Sequence, residues 1–112
     1  MADKRTSKRK RKRLKLRFGI DDYTYLAFTD EVSETGMFIR TPKVFAPGTM
    51  IKILLFIQDE SEIHLEGRIM WAKRIPPQII RSYKGGMGIR ITAVLSGEAH
   101  YRSLTETINE QQ

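Results

Sequence analysis

Apolar side chains recur at every second position along most of this chain, and that period constrains the fold more than any other feature. Leu14, Leu16, Phe18 and Ile20, for example, alternate with basic residues or glycine. Successive side chains of a β-strand point to opposite faces, so the spacing predicts a half-buried strand. Similar strand-like segments cover residues 14–20, 23–29, 37–41, 50–57, 63–71 and 87–93. Turn residues rather than helical patterns separate them, which predicts an all-β antiparallel barrel or sandwich.

The period changes at the end of the chain. Tyr101, Leu104 and Ile108 recur at helical intervals and form one apolar stripe. Ser96 is the predicted N-cap, and Glu98 lies in the first turn, beside the positive end of the helix dipole. We therefore predict a C-terminal amphipathic helix that packs on the barrel.

Positive charge is concentrated at the N-terminus. Ten of the 20 Lys and Arg residues lie within residues 1–17, where Asp3 is the one acidic residue. A block of like charges repels itself and stays extended until an anion neutralises it. We predict a flexible basic arm over residues 1–12 and a barrel domain over residues 13–112. The arm is either a solvated tail or a binding segment for a phosphate, a nucleotide, a nucleic acid or a membrane surface.

The residues that most enzymes and metal sites require are missing or scattered. The chain has no cysteine, which excludes disulfides, thiol nucleophiles and cysteine-based metal sites. His64 and His100 lie in different predicted elements without ligand-like spacing. We therefore predict a protein that is not an enzyme and has no metal site or resident cofactor. The longest strictly apolar run, residues 53–57, is far shorter than the roughly 20 residues of a bilayer helix, so we predict a cytoplasmic protein without a membrane span.

Two short motifs occur in order along the chain. The first is Arg13-Leu14-Lys15-Leu16-Arg17, an R-x-x-x-R pattern, and the second is Glu31-Val32-Ser33-Glu34-Thr35-Gly36. In this order the chain resembles the PilZ domain family, bacterial receptors for the second messenger cyclic diguanylate (cyclic di-GMP). The family pattern is R-x-x-x-R followed by D/N-x-S-x-x-G, and Glu31 stands where Asp or Asn is usual. The resemblance extends to Pro47-Gly48, Gly67-Arg68-Ile69-Met70-Trp71 and Gly86-Met87-Gly88-Ile89.

The resemblance implies a fold and a ligand site. The fold is a six-stranded antiparallel β-barrel with a C-terminal amphipathic α-helix. The ligand-binding residues are Arg13, Arg17, Glu31, Ser33 and Gly36, and Arg9 and Lys12 are possible additional contacts from the arm. A guanidinium fork can engage the adjacent O6 and N7 acceptors of guanine, which a lysine cannot.

The other three positions have complementary predicted roles. Glu31 would accept hydrogen bonds from guanine N–H groups, and Ser33 would add a hydroxyl contact. Gly36 would permit a positive φ and a close backbone approach. We expect Arg13 to lie in a flexible lead-in that folds over the ligand.

The resemblance also implies a signalling role. Ligand binding would order the arm and expose a surface to a protein effector, in motility, pilus or exopolysaccharide machinery. Two alternatives stay open: a PilZ-like interaction module that does not bind the nucleotide, and a nucleic-acid or other polyanion binder that acts through the arm.

Overall fold

The computed structural model describes residues 10–57, 61–74 and 85–110, with residues 10, 11 and 106–110 described by their backbone alone. Within these ranges the chain forms seven strands and one helix. They are β1 (Lys10–Arg11), β2 (Lys15–Gly19), β3 (Tyr25–Val32), β4 (Gly36–Arg40), β5 (Met50–Ile57), β6 (Ser61–Lys73), β7 (Gly86–Ser96) and α1 (Glu98–Glu110).

The six longer strands close into an antiparallel barrel. The strand order is β3-β2-β5-β6-β7-β4, and the additional pairing of β3 with β4 joins the two ends. Closure distinguishes a barrel from the open sandwich that the sequence pattern also allowed, and it leaves none of these six strands as a free edge. The predicted six-stranded antiparallel barrel with a C-terminal helix is confirmed.

The two-residue strand β1 continues the line of β2 along the same side of β3. Lys10 and Arg11 pair with Val32 and Glu31, whereas β2 pairs with residues 25–28 of β3. Residues 12–14, here called the lead-in segment, connect β1 to β2. Two residues of the predicted arm are thus paired with the barrel, and the domain boundary at residue 12 stays a prediction.

The alternation of the sequence becomes an inside and an outside. In β2, Leu16 and Phe18 are buried, while Lys15 and Arg17 are exposed. The interior is formed by apolar side chains from all six long strands. They include Leu16, Phe18, Ala27, Val32, Met37, Ile39, Ile51, Ile53, Leu55, Ile63, Leu65, Ile69, Met87 and Ile89.

The helix begins one residue later than predicted, and the Ser96 cap is wrong. Ser96 pairs with His64 and is the last residue of β7. Gly97, with φ of 84°, turns the chain, and its carbonyl accepts the N–H of Tyr101 at 2.9 Å. Gly97 is therefore the N-cap, because the sheet holds Ser96 in an extended conformation. Tyr101 is buried and Leu104 packs against the core, as the stripe predicted, whereas the side chain of Ile108 lies outside the described part.

No helix among the described residues is long and apolar enough to cross a bilayer.

Candidate functional site

The β3–β4 hairpin brings three of the predicted site residues together. Glu31 pairs with Phe38, and Val32 pairs with Met37, so residues 33–36 form the connecting turn, here called the 33–36 turn. The backbone N–H of Ser33 donates to the carbonyl of Gly36 at 2.9 Å. Glu31, Ser33 and Gly36 are therefore within one hairpin end.

The hydroxyl of Ser33 organises this turn from inside. Its Oγ accepts the N–H groups of Thr35 and Gly36 at 3.3 and 3.2 Å and lies 3.3 Å from the Gly36 carbonyl. Ser33 is buried, with 5% of its surface exposed. A serine oxygen that accepts backbone N–H groups two and three residues ahead is typical turn chemistry. The geometry thus gives Ser33 a structural role whether or not a ligand contacts it.

A glycine is needed at position 36 because β7 leaves no space for a side chain, and not because of its backbone conformation. A Cβ at this position would lie less than 3.0 Å from the carbonyl oxygen of Ile89 on β7. Among the described glycines, positive φ angles occur at Gly48, Gly86 and Gly97, so the predicted positive φ of Gly36 is wrong. The close neighbour that the structure shows for Gly36 is the backbone of β7, and the predicted close approach to a ligand stays a prediction.

Hydrogen bonds fasten the lead-in segment to β3. The buried Thr29 hydroxyl accepts the N–H of Leu14 at 2.8 Å and donates to the carbonyl of Lys12. The N–H of Thr29 donates to the Leu14 carbonyl at 2.9 Å, and the N–H of Lys12 donates to the Asp30 carbonyl at 3.1 Å. The segment that we expected to be flexible is therefore tied to the barrel on both sides of Arg13.

Arg13 lies on the outer face of β3. Its guanidinium carbon is 4.1 Å from the centre of the Phe28 ring, and the side chain is exposed. Phe28 lies three residues before Glu31 on β3, which corresponds to roughly 10 Å along the strand. Arg13, Glu31, Ser33 and Gly36 together are called the candidate site below.

Arg17 lies apart from Glu31 and the 33–36 turn. It pairs with Leu26, five residues before Glu31 on β3, which corresponds to roughly 16 Å along the strand. Its Nη1 donates to the carbonyl of Tyr23 at 3.1 Å. Of the possible arm contacts, Lys12 lies in the lead-in segment, half-buried, whereas Arg9 is outside the described residues.

An aromatic pair next to Glu31 was not predicted from the sequence. The rings of Phe38 and Trp71 are stacked, with centroids 5.1 Å apart and planes at 25°. Trp71 pairs with Gly88, after a register shift on β6, and a Cβ at Gly88 would meet the indole. Trp71 remains 48% exposed. The sequence shows Trp71 and Gly88 in separate strands. They could not be recognised as neighbours without the register between β6 and β7.

One titratable group near the turn has a clearly shifted pKa. Burial, with a smaller contribution from the negative charge of Glu34, raises the pKa of Tyr101. The hydroxyl, which like that of an ordinary tyrosine is protonated at neutral pH, donates to the Ser33 carbonyl at 2.6 Å. In the described part of the chain, no three His, Asp or Glu residues are grouped to hold a metal ion.

Comparisons with known proteins agree with this architecture. The PilZ domain model matches residues 3–106. The structure of the Bacillus subtilis inhibitor of motility (MotI/DgrA) is similar, with a TM-score of 0.74 and 16% sequence identity. The similarity covers 97% of this chain and 52% of that one, so this chain spans about half the length of that protein. No curated protein matches. The closed six-stranded barrel, its C-terminal helix and a family match over most of the sequence establish that the chain belongs to the PilZ domain family.

Proposed function

We propose that this protein is a receptor for cyclic diguanylate that acts as a non-enzymatic adaptor in the bacterial cytoplasm. The family supports the ligand class. The placement of Arg13 beside the β3–β4 hairpin is the observation that carries the proposal for this chain. Its guanidinium is exposed over Phe28, three residues before Glu31 on β3, so a cation and a carboxylate lie along one strand of the hairpin.

The chemistry of these residues fits a guanine nucleotide. A guanidinium can form two hydrogen bonds to O6 and N7 of guanine, and its plane can stack on a purine. Glu31 supplies an acceptor for the opposite N–H edge of the base. Trp71 and Phe38 offer an exposed aromatic surface beside Glu31, on which a purine can stack.

Arg17 stays in the proposal with a different role. Its pairing with Leu26, roughly 16 Å along β3 from Glu31, means that Arg17 and Glu31 do not hold the same base in their present positions. We propose that Arg17 binds a more distant part of the ligand, which carries two phosphates and two bases. Arg9 and Lys12 would add positive charge from the arm.

We propose that binding extends the docking of the basic arm from residues 10–12, which are already bonded to β3, towards the N-terminus, and that this presents a new surface to a protein effector. Ten basic residues within residues 1–17 repel one another until an anion neutralises them. The lead-in segment is already hydrogen-bonded to β3, so it gives the arm a fixed starting point on the barrel. Motility, pilus or exopolysaccharide machinery would supply the effector.

Calorimetric titration with cyclic diguanylate tests the receptor proposal. We expect saturable binding with a micromolar or lower Kd for the wild type. Arg13→Ala and Arg17→Ala should abolish it, and Arg13→Lys should not restore it, because a lysine lacks the planar fork. Arg102→Ala is the matched control, since it removes one exposed arginine, on α1, that pairs with Glu98 at 3.3 Å.

The titration also decides between the proposal and the nucleotide-free module. No heat at about 100 μM protein would refute the receptor proposal and favour an interaction module. If binding occurs, NMR should show the amides of residues 9–17 and 31–36 shifting together. Binding without movement of those amides would place the ligand elsewhere.

A polyanion-binding function is the second candidate, favoured by cations interleaved with aromatic rings. Arg13 lies over Phe28, and the Lys15 ammonium is 5.4 Å from the centre of the Phe56 ring. Such surfaces bind single-stranded nucleic acid by charge and base stacking. This function predicts affinity for any oligonucleotide, a steep loss of affinity with salt, and tolerance of Arg13→Lys.

A further inference from the structure

Tyr101 connects the C-terminal helix to the backbone of the candidate site. Its hydroxyl donates to the Ser33 carbonyl at 2.6 Å across 68 residues of sequence. The side chain is 4% exposed, so water is largely excluded from this hydrogen bond. Ser33 in turn fixes the amides of Thr35 and Gly36 through its own hydroxyl. A single hydrogen bond from α1 therefore holds the 33–36 turn, whose residues also contact one another.

The surrounding contacts make the turn sensitive to this bond. On one side Gly36 is packed against the backbone of Ile89, and the Thr35 carbonyl accepts the N–H of Ile91 at 2.9 Å. On the other side, the first of these residues, Ser33, is held through its carbonyl by Tyr101. The turn is thus clamped between β7 and α1, and releasing either clamp would change where the Ser33 hydroxyl and the adjacent backbone lie.

A second buried hydroxyl on the same helix provides a contrast. Thr105 is buried, and its hydroxyl donates to the carbonyls of Tyr101 and Arg102 at 3.0 and 3.2 Å, within α1 itself. Both hydroxyls lie on the face that packs on the barrel. The hydroxyl of Tyr101 bonds to the turn, while that of Thr105 bonds within the helix.

We propose that Tyr101 is a positioning residue for the candidate site, and that through it the docking of α1 and the binding of a ligand at the 33–36 turn are coupled. This inference rests on the proposed function and names its regulation. Coupling between two positions is reciprocal, so a ligand that holds the turn also strengthens the docking of α1. The helix is then an element through which an effector can sense the ligand, or alter its affinity.

The ligand-free protein gives the first test. Tyr101→Phe keeps the ring in the core and removes the hydroxyl. We expect its NMR spectrum to show shifted amides at residues 33–36 and faster hydrogen exchange there. Thr105→Val removes the other buried hydroxyl and should leave those amides unchanged. Ile53→Val lowers stability from inside β5, and serves as the control for general destabilisation.

The second test adds cyclic diguanylate. We expect Tyr101→Phe to bind roughly 3- to 10-fold more weakly, as the loss of one net hydrogen bond implies. In the wild type, the nucleotide should slow exchange of the α1 amides, and in Tyr101→Phe this protection should be lost. A role in packing alone would weaken exchange protection everywhere, as in Ile53→Val, and would leave the ligand-induced protection of α1 intact.

The two proposals fail in distinguishable ways. A wild type that does not bind the nucleotide refutes the proposed function and, with it, the coupling to this ligand, whatever the ligand-free spectra show. A wild type that binds, with unshifted 33–36 amides or unchanged affinity in Tyr101→Phe, refutes the positioning role and leaves the receptor proposal in place.

Discussion

Replacing Gly36 with alanine should destabilise the barrel although the backbone conformation at this position suits any residue. The new Cβ would lie less than 3.0 Å from the carbonyl oxygen of Ile89, and that oxygen belongs to the backbone of β7. A flexible side chain can swing aside, whereas here β4 and β7 must separate. The two strands are paired from Gly36 to Arg40, so the displacement strains a continuous ladder.

The expected cost follows from the nature of the clash. Overpacking in well-packed sites costs about 1–3 kcal/mol, and a backbone contact should lie at the upper end. We expect Gly36→Ala to lose about 2–3 kcal/mol, out of the 5–15 kcal/mol typical of a domain. That corresponds to a decrease in Tm of roughly 10–20 °C. Circular dichroism during thermal and urea unfolding measures both quantities.

Gly48 is the informative control, because there the conditions are reversed. Its φ is 94°, and a Cβ would meet nothing within 4 Å. Gly48→Ala should therefore cost about 1–2 kcal/mol through backbone strain alone. Asparagine tolerates positive φ, so Gly48→Asn should be more stable than Gly48→Ala. At Gly36 the order should be the opposite, since asparagine is larger.

Two outcomes would refute this reasoning: a Gly36→Ala protein within 0.5 kcal/mol of the wild type, or a Gly36→Asn protein more stable than Gly36→Ala. The result also affects how site mutants are interpreted. A loss of nucleotide binding in Gly36→Ala would reflect displaced strands as much as a lost contact. Arg13→Ala, which alters an exposed side chain, is the cleaner test of the proposed ligand site.

Two further predictions concern buried hydroxyl groups. Thr29→Val keeps the shape of the side chain but leaves the N–H of Leu14 without its acceptor. We therefore expect the free energy of unfolding to fall by about 1–3 kcal/mol and amide exchange over residues 12–14 to become faster. Unchanged exchange there would show that the lead-in segment is held by other contacts. The raised pKa of Tyr101 predicts that stability is fully present below the unfolded-state pKa of about 10 and falls as the pH rises above it, because the unfolded chain loses this proton first. Urea midpoints between pH 9 and pH 11 should show that fall in the wild type and a smaller one in Tyr101→Phe, and equal slopes in both proteins would contradict the assignment.

The strands were predictable because burial follows a local rule. The burial of Leu16, for example, could be predicted because the residues directly before and after it are charged. That prediction does not require knowing which strand pairs with β2. Closure of the barrel is a different kind of fact. It depends on the pairing of β4 with β7, two strands about 50 residues apart that no local pattern connects, so the alternation alone left the choice between barrel and sandwich open.

The same distinction explains what sequence reasoning missed in the site. The motif residues Glu31, Ser33 and Gly36 are close in sequence and were therefore found together. The stacking of Trp71 on Phe38 and the bond from Tyr101 to Ser33 join residues far apart in the chain. The Ser96 cap failed for a related reason, since serine is a good N-cap but the pairing with His64 had already committed it to the sheet.

The closed barrel limits which parts of this protein can change conformation when a ligand or partner binds. A closed barrel resists bending or opening, because each of its six long strands is hydrogen-bonded to a neighbour on both sides. A ligand that binds to the outer face of the barrel should therefore cause little displacement of the strands themselves. The N-terminal segment paired with β3 and the helix after β7 are held by a few hydrogen bonds each, so they can shift without opening the barrel, and we expect an effector to contact them.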